Sequence, residues 1–184
     1  MQFIETRIPG VIIVEPKRIV DDRGFFSEVF RTDRFEEATH GIKFVQENFS
    51  LSHPAGVLRG LHFQTPPFAQ GKLVRVLSGA IYDVALDLRV GSPTYGEHIG
   101  VELSKDNWRQ LYIPEGFAHG FITLQPDTEV LYKVTNFYSA ANDAGLLWND
   151  PDLKIEWPQV AVPLLSLKDK GLPRLRELTS PFSA

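Results

Sequence analysis

The sequence contains no cysteine, so disulfide bonds, thiolate metal ligands and a cysteine nucleophile are excluded. It also lacks an apolar run as long as a membrane span, and its first residues, MQFIETRIPG, lack the basic and then apolar pattern of a signal peptide. An excess of basic residues is absent as well, because the net charge is −4, which gives no overall attraction for nucleic acid. We therefore expect a cytoplasmic protein with neither a membrane nor a nucleic acid as its partner.

No linker, internal repeat or low-complexity segment divides the chain, and we expect a single domain over residues 1–184. Apolar residues recur with a period of two, in short runs separated by Gly, Pro, Asn and Asp, which predicts an all-β fold. The predicted strands are Val11–Glu15, Phe25–Phe30, Phe44–Ser50, Leu58–Phe63, Leu73–Leu77, Ile81–Leu88, Tyr95–Leu103, Arg109–Ile113, Gly120–Leu124 and Glu129–Tyr138.

One short helix is predicted at Arg34–His40, where Asp33 is placed to cap the first turn and Gly41 to end the last. The segment after Trp148 is rich in proline and has no clear period, so we expect an irregular tail of loops and short turns packed on the strands. About ten short strands favour a sandwich or a jelly-roll barrel, whose interior can hold a small ligand.

The segment Val57–Lys72, VLRGLHFQTPPFAQGK, is the most informative, because it places His62 close to an arginine and a lysine. A neutral imidazole can accept a proton, and a carboxylate on its other ring nitrogen would fix the tautomer and raise its basicity. Asp83, Asp87 and Asp169 are all candidates for that carboxylate. The alternative interpretation is a hydrogen-bonded histidine of the core.

Known metal-binding patterns are also missing, because the chain contains neither an HxH pair nor an HExxH helix. His119, in IPEGFAHGF, could join His62 as a two-histidine site, but no carboxylate at a matching spacing accompanies them. We therefore expect no metal.

Two strand positions carry groups that suit proton chemistry. Lys72 shares the face of Val74 and Val76, where an ammonium could stabilise an oxyanion, although this segment alone favours a strand-end lysine that reaches solvent. Alternation in EVLYKVTNFY places Tyr132 and Tyr138 on one face, where they either pack or serve as a proton donor and a stacking platform.

Polar side chains also occupy positions where a strand would normally carry apolar residues. Glu28, Gln46 and Asn48 alternate along predicted strands, and Arg23 lies in a turn. Buried polar groups need partners, and a polar ligand would supply them.

The ordered motifs of this chain resemble those of the dTDP-4-dehydrorhamnose 3,5-epimerase family, which are deoxysugar epimerases within the cupins. The resemblance runs from about Ile4 to Asp169 through DDRGFFSEVF, FVQENFS, VLRGLHFQ, QGKLVRVLSGAIYDVALDLR, IPEGFAHGF, YKVTNFYS, LLWNDPDLKIEWP and LSLKD. It implies a cupin-type jelly roll and a homodimer in which a strand of one subunit helps to build the site of the other. It also implies that no metal, nicotinamide or other cofactor takes part.

By this resemblance, the substrate is a dTDP-4-keto-6-deoxyhexose and His62 is the base, with Asp169 as its partner. Lys72 stabilises the enolate, and Tyr132 is the acid on the opposite face of the sugar. The resemblance further implies a set of substrate-binding residues, in which Arg23 and Arg59 meet the pyrophosphate and Tyr138 stacks on thymine: Arg23, Phe26, Glu28, Gln46, Glu47, Asn48, Arg59, Lys72, His119, Tyr138, Asp143 and Lys168.

Two details depart from a simple transfer of these roles. Position 143 is often glutamate in the family, and the shorter Asp143 keeps the charge but leaves open whether it reaches its partner directly or through a water molecule. Arg59 and His62 have opposite parity on a regular strand, so both face one site only if Gly60 marks a bulge or a twist.

The implied function is inversion of carbons 3 and 5 of a dTDP-4-keto sugar in the route to dTDP-L-rhamnose. An epimerase that acts at one carbon, or on another deoxysugar route, would use the same groups. A non-catalytic cupin that binds nucleotide sugars is the alternative from a different class. The joint presence of His62, Lys72 and Tyr132 argues against it, because binding alone needs no acid and base.

Overall fold

The computed structural model describes residues 1–160 and 162–184 of the chain. Its strands are β1 Gln2–Glu5, β2 Ile12–Glu15, β3 Arg18–Asp21, β4 Gly24–Ser27, β5 Gln46–Ser52, β6 Leu58–Gln64, β7 Lys72–Ser78, β8 Ala80–Asp87, β9 His98–Ser104, β10 Gln110–Ile113, β11 Phe117–Thr123, β12 Thr128–Val134 and β13 Asp143–Gly145. The two α-helices are α1 Thr32–Ala38 and α2 Leu167–Lys170, and Leu175–Glu177 forms a 3-10 turn.

Two antiparallel sheets form the body of the molecule. The larger has six strands in the order β1-β2-β10-β7-β12-β5, and the smaller has five in the order β13-β6-β11-β8-β9. Strands β3 and β4 pair only with each other, as a separate hairpin. This arrangement confirms the predicted all-β fold of the cupin jelly-roll type.

The apolar core has one layer on each face of the five-stranded sheet, and a third cluster packs the six-stranded sheet against α1. One layer, which includes Val74, Val76 and Val130, joins the two sheets. The other lies on the outer face of the five-stranded sheet, where Leu61 and Leu86 contact side chains of the C-terminal tail. A strand covered on both sides loses its polar alternation, which explains why every residue of β11 is buried. The predicted packing of the tail on the barrel is confirmed.

Several predicted boundaries are wrong, and short exposed elements account for most of them. The sequence pattern did not predict β1, β3 or β13, which are only three or four residues long. The predicted strand Phe25–Phe30 ends at Ser27, and the strand predicted to reach Tyr138 ends at Val134. Alternation beyond those points therefore has no structural meaning.

The short helix begins two residues earlier than predicted, at Thr32, so Asp33 lies inside its first turn rather than at the cap. The Asp33 carboxylate accepts hydrogen bonds from Arg31, which occupies the cap position without a side-chain cap of its own. Gly41 follows the helix at φ +94°, and its amide donates to the Glu36 carbonyl, as a glycine terminator does. In the tail, α2 is a helical turn that the prediction of loops did not include.

Neither helix of the described residues 1–160 and 162–184 is long and apolar enough to cross a bilayer.

Candidate active site

Two cavities open where the two sheets face each other near α2. Their volumes are about 200 and 280 Å³. Both are lined by four of the residues predicted to act on substrate, namely His62, Lys72, Tyr132 and Lys168. We treat them as one candidate active site.

The predicted base and its carboxylate partner meet in this site. His62 Nε2 lies 2.6 Å from Asp169 Oδ1, although the two residues are 107 positions apart in the sequence. Asp169 is buried in α2, and Ser166 caps that helix by accepting a hydrogen bond from the Asp169 amide at 3.1 Å. The cap thereby holds the backbone of the carboxylate that orients the imidazole ring.

The other two carboxylate candidates serve different partners. Asp83 Oδ1 lies 2.6 Å from Nε2 of His119 on the neighbouring strand, in a pair that is almost completely buried. Asp87 accepts hydrogen bonds from Arg89 and from nearby hydroxyl groups. Asp83 and Asp87, which the sequence also offered as partners of His62, are therefore not its partners.

Burial lowers the pKa of His62, with a further lowering by the charges of Lys72 and Lys168, while Asp169 opposes the shift. The imidazole is consequently neutral at neutral pH. Because a hydrogen bond to Asp169 occupies one ring nitrogen, the other is left to accept a proton.

Lys72 is half-buried at the cavity wall, and its Nζ lies 3.4 Å from the backbone carbonyl of His62. The interpretation favoured by its segment alone, a lysine that reaches solvent, is wrong. β7 is a central strand whose valines pack inward, and Lys72 follows the same parity. Burial lowers the pKa of Lys72 to about 8, against the opposing charges of Asp83 and Asp143.

Tyr132 enters the site from the sheet opposite to His62. It lies on β12 of the six-stranded sheet, whereas His62 lies on β6 of the five-stranded sheet. Tyr132 pairs with Val74 on β7, which makes Lys72 its diagonal neighbour on the same face. Burial raises the pKa of Tyr132, so its hydroxyl is protonated at neutral pH.

Of the two irregularities that Arg59 and His62 would require at Gly60, the structure has a bulge. His119 pairs with His62 and Phe121 pairs with Arg59, so three steps along β6 match two along β11. Gly60 adopts φ +120°, and a Cβ there would lie 2.5 Å from the Gly120 Cα. The extra residue brings Arg59 and His62 to the same cavity, which they both line.

The predicted nucleotide-binding residues divide into two groups, of which the first reaches this site. Asp143 Oδ2 accepts hydrogen bonds from Lys168 at 2.5 Å and from the Tyr138 hydroxyl at 3.1 Å. Asp143 therefore needs no water to reach these two partners. The other members of the group line one of the two cavities: Gln46, Asn48, Arg59 and His119.

The second group lies away from the cavities of its own chain. Arg23 is at the tip of the β3–β4 hairpin, where it pairs with Asp21, and Phe26 is exposed on the same hairpin. Glu28 follows the hairpin and lies 4.0 Å from Arg31. Glu47 has the opposite parity to Gln46 and Asn48, so it faces the other side of β5 and binds Lys133.

Sequence reasoning missed several residues that line the cavities. Gln64 is the most informative, because its side chain donates to the carbonyls of Phe68 and Phe137 and accepts from the amide of Ser139. It thereby fixes the loop that carries Tyr138. Its parity with His62 on β6 was the available signal. The remaining missed residues are Ser50, Phe63, Gln70, Phe121 and Ser166.

The described residues contain no group of three or more His, Asp or Glu side chains placed to hold a metal ion. His62 and His119 are neighbours across β6 and β11, but each is held by its own aspartate.

Known proteins of closely similar sequence include enzymes named dTDP-4-dehydrorhamnose 3,5-epimerase. A sequence model of the dTDP-4-dehydrorhamnose 3,5-epimerase family matches residues 5–177. The enzyme of that name from Shigella flexneri is 55% identical over 170 residues, which cover 92% of this chain and 93% of that protein.

Solved structures agree. The dTDP-4-dehydrorhamnose 3,5-epimerase of Bacillus anthracis, with TDP and PPi bound, matches with a TM-score of 0.91 and 52% identity, covering 95% of this chain and 99% of that one. A dTDP-6-deoxy-D-glucose-3,5-epimerase from Legionella pneumophila, in complex with dTDP-4-keto-L-rhamnose, matches with a TM-score of 0.91 and 46% identity, covering 95% and 93%.

Proposed function

This chain belongs to the dTDP-4-dehydrorhamnose 3,5-epimerase family, and on that premise we propose how its cavity carries out the isomerase reaction. The substrate is dTDP-4-dehydro-6-deoxy-D-glucose, and inversion of carbons 3 and 5 gives dTDP-4-dehydro-L-rhamnose for dTDP-L-rhamnose biosynthesis. One observation supports the proposal above all others. His62 and Tyr132 enter the cavity from opposing sheets, as inversion of a carbon by two different groups requires.

In the first step, neutral His62 removes the proton from a carbon next to the 4-keto group. The low pKa of His62 keeps the imidazole free to accept that proton at neutral pH. Asp169, at 2.6 Å, stabilises the imidazolium that forms.

The electron pair left on carbon moves onto the ketone oxygen and gives an enolate. A fixed cation beside that oxygen lowers the barrier most, because the charge develops only as the proton leaves. Lys72 supplies this cation. With a pKa of about 8 it is mainly protonated at neutral pH, and its position on the cavity wall spares it full solvation.

In the second step, Tyr132 donates its proton to the same carbon from the opposite face, which inverts the centre. Its raised pKa makes the phenolate unstable, so Tyr132 regains a proton from solvent, while His62 releases its own. One cycle on each side of the ketone inverts both carbons. Each inversion therefore introduces one solvent-derived hydrogen.

The nucleotide is bound beside this chemistry by the charged and aromatic residues of the rim. Arg59 is placed to meet a phosphate in the cavity that contains His119. Tyr138 is exposed at the rim, and Asp143 holds its hydroxyl, so the ring presents a fixed face on which thymine can stack.

We further propose a homodimer in which the β3–β4 hairpin reaches the site of the second subunit. The hairpin projects Val20 and Phe26, which are 74% and 70% exposed, together with Arg23. Apolar side chains this exposed indicate a protein partner. The partner's cavity would then receive the arginine and the aromatic ring that are missing from the chain's own cavity.

The decisive experiment is incubation with dTDP-4-keto-6-deoxyglucose in deuterated water, followed by NMR of the sugar. Wild-type protein introduces deuterium at carbons 3 and 5. His62→Ala keeps its affinity for dTDP and loses exchange at both carbons. Tyr132→Phe should lose net inversion more than it loses solvent exchange, because deprotonation by His62 survives while protonation from the other face fails.

His53→Ala and Tyr95→Phe are matched controls, since neither residue lines the cavities. Both should behave as wild type. Label at a single carbon would support the one-centre epimerase instead, and the absence of label would support a binding protein. Inversion at the wild-type rate by Tyr132→Phe would exclude Tyr132 as the acid. The cytoplasmic location, the single domain and the independence from nucleic acid stay predictions.

A further inference from the structure

The β3–β4 hairpin has little structure of its own to hold it in place. It is a two-stranded sheet, and its strands pair with no other strand among residues 1–160 and 162–184. An isolated hairpin of two strands is at best marginally stable in water. Its direction must therefore be set by side-chain contacts with the body of the chain.

Those contacts centre on Trp108, in the turn between β9 and β10, where Arg18 also donates to the Asp106 carbonyl at 3.5 Å. The ring of Phe25 packs edge-on against the Trp108 ring at 5.1 Å between centroids. The guanidinium of Arg18 lies 5.8 Å from the centroids of both rings, and that of Arg75 lies 5.4 Å from Trp108. The indole nitrogen also donates to the Ser27 hydroxyl at 3.4 Å. Trp108 thus joins both strands of the hairpin to Arg75 on β7, in the body.

The turn that carries Trp108 is built to hold it rigidly. Trp108 adopts φ +64°, a left-handed conformation that bulky residues rarely occupy. The Asn107 side chain accepts from the amides of Ser104 and Arg109 and donates to the Glu102 carbonyl. The amide of Trp108 itself donates to the Ser104 carbonyl at 3.1 Å. Such backbone strain persists only where the surroundings enforce it.

We propose that Trp108 is a positioning residue that aims the β3–β4 hairpin, and with it Arg23, at the nucleotide site of the partner subunit. The inference rests on the proposed function and on its shared dimeric site. Trp108 lines none of the cavities that contain His62, so it acts on substrate binding in the other subunit and not on proton transfer in its own.

The first test compares steady-state constants of single variants. Trp108→Ala should raise KM by at least about tenfold while kcat stays within about twofold, because nucleotide contacts are lost and the chemistry is kept. Trp108→Phe should recover most of the affinity, since a phenyl ring can still stack between the two guanidinium groups. Trp148→Phe, on the tail, is the matched control and should leave KM unchanged. A fall in kcat without a change in KM would refute the proposal.

The second test locates the effect in one subunit of a mixed dimer, isolated with two different affinity tags. When one subunit carries both His62→Ala and Trp108→Ala, the only working site belongs to the wild-type partner and receives the loosened hairpin. KM should rise as in the Trp108→Ala homodimer. When His62→Ala and Trp108→Ala are on different subunits, the working site receives an intact hairpin, and KM should be that of the wild type.

Equal KM values in the two arrangements would overturn the proposal, and so would an active protein that is monomeric. The same dimers with Arg23→Ala in place of Trp108→Ala should show the same asymmetry, and the two changes together should add little to either alone. If Trp108→Ala does not fold, mixed dimers made with Phe25→Ala, which removes the ring that packs on Trp108, give the same comparison. Activity of the His62→Ala homodimer would refute the proposed base, and this inference would then be judged by the KM of the Trp108→Ala and Arg23→Ala homodimers.

Discussion

Replacing Lys72 with methionine should stabilise the fold near neutral pH while it abolishes solvent exchange. Burial lowers the pKa of Lys72 from 10.5 to about 8, which means that the folded state disfavours its charge. At about 1.4 kcal/mol per pH unit, this difference corresponds to roughly 3 kcal/mol of stability. Methionine has a similar length and no charge, so the variant avoids this penalty.

The pH dependence follows from the sign of the shift. Below about pH 8 both the folded and the unfolded states carry the charge, so the full penalty is present. Between about pH 8 and 10.5 the folded state is neutral while the unfolded chain still binds the proton, and the free energy of unfolding of the wild type rises. The advantage of Lys72→Met should therefore shrink to under about 1 kcal/mol near pH 10.

Loss of the hydrogen bond from Lys72 to the His62 carbonyl works in the opposite direction. At 3.4 Å it is long, and a bond of this kind contributes about 1 kcal/mol at most. A neutral amine can still donate, so this loss is nearly independent of pH. The net gain in the free energy of unfolding of Lys72→Met near pH 7 is then roughly 2 kcal/mol. A stability difference between variant and wild type that narrows as the pH rises is the result expected from the buried charge.

Urea unfolding at about pH 7 and about pH 10, at one protein concentration, measures both quantities. Lys43→Met is the control, because Lys43 is exposed and its removal should change the free energy of unfolding little. The deuterium assay then shows whether exchange is lost. A variant less stable than wild type near pH 7, or a gap that does not narrow at high pH, would refute the reasoning.

Four further predictions test other parts of the site. Gly60→Ala should lower the free energy of unfolding by about 3 kcal/mol or more and slow solvent exchange at the sugar, because the new Cβ would lie 2.5 Å from the Gly120 Cα. A urea unfolding curve like that of the wild type would contradict this. Asp169→Asn should lower the pKa of His62 further, so the acid limb of kcat/KM should move to lower pH while the rate falls. An acid limb that does not move would show that Asp169 does not influence the pKa of His62. In the wild type the alkaline limb of kcat/KM should lie near pH 8, and Lys72→Arg should move that limb to higher pH. Chelators should leave solvent exchange intact, and inhibition by a chelator would contradict the metal-free site.

The sequence predicts most of what is local to a strand. Parity alone placed Lys72 with Val74 and Val76, and it placed Tyr132 on the inward face of β12. An irregularity at Gly60 was also predictable, because two site residues of opposite parity require a bulge or a twist there. Alternation is a property of neighbouring residues, so it survives without knowledge of the fold.

Features that depend on distant residues could not be predicted from the residues themselves. Three carboxylates could have paired with His62, and only the packing of α2 against β6 selects Asp169. The resemblance named Asp169 correctly because it carries information about tertiary structure that spacing lacks. It did not show which residues line the cavity of the chain itself, and Arg23 lies away from that cavity, where it pairs with Asp21.

The pairing of His62 with Asp169 also has a consequence for the order in which the protein matures during synthesis. His62, Lys72 and Tyr132 leave the ribosome well before α2, and the sheets that hold them can begin to pair as the chain lengthens. The carboxylate partner of the base arrives 107 residues after the histidine itself. On the proposed mechanism, a nascent chain therefore acquires its binding walls first and the partner of its base last, so catalysis waits until α2 has been synthesised and has packed against β6.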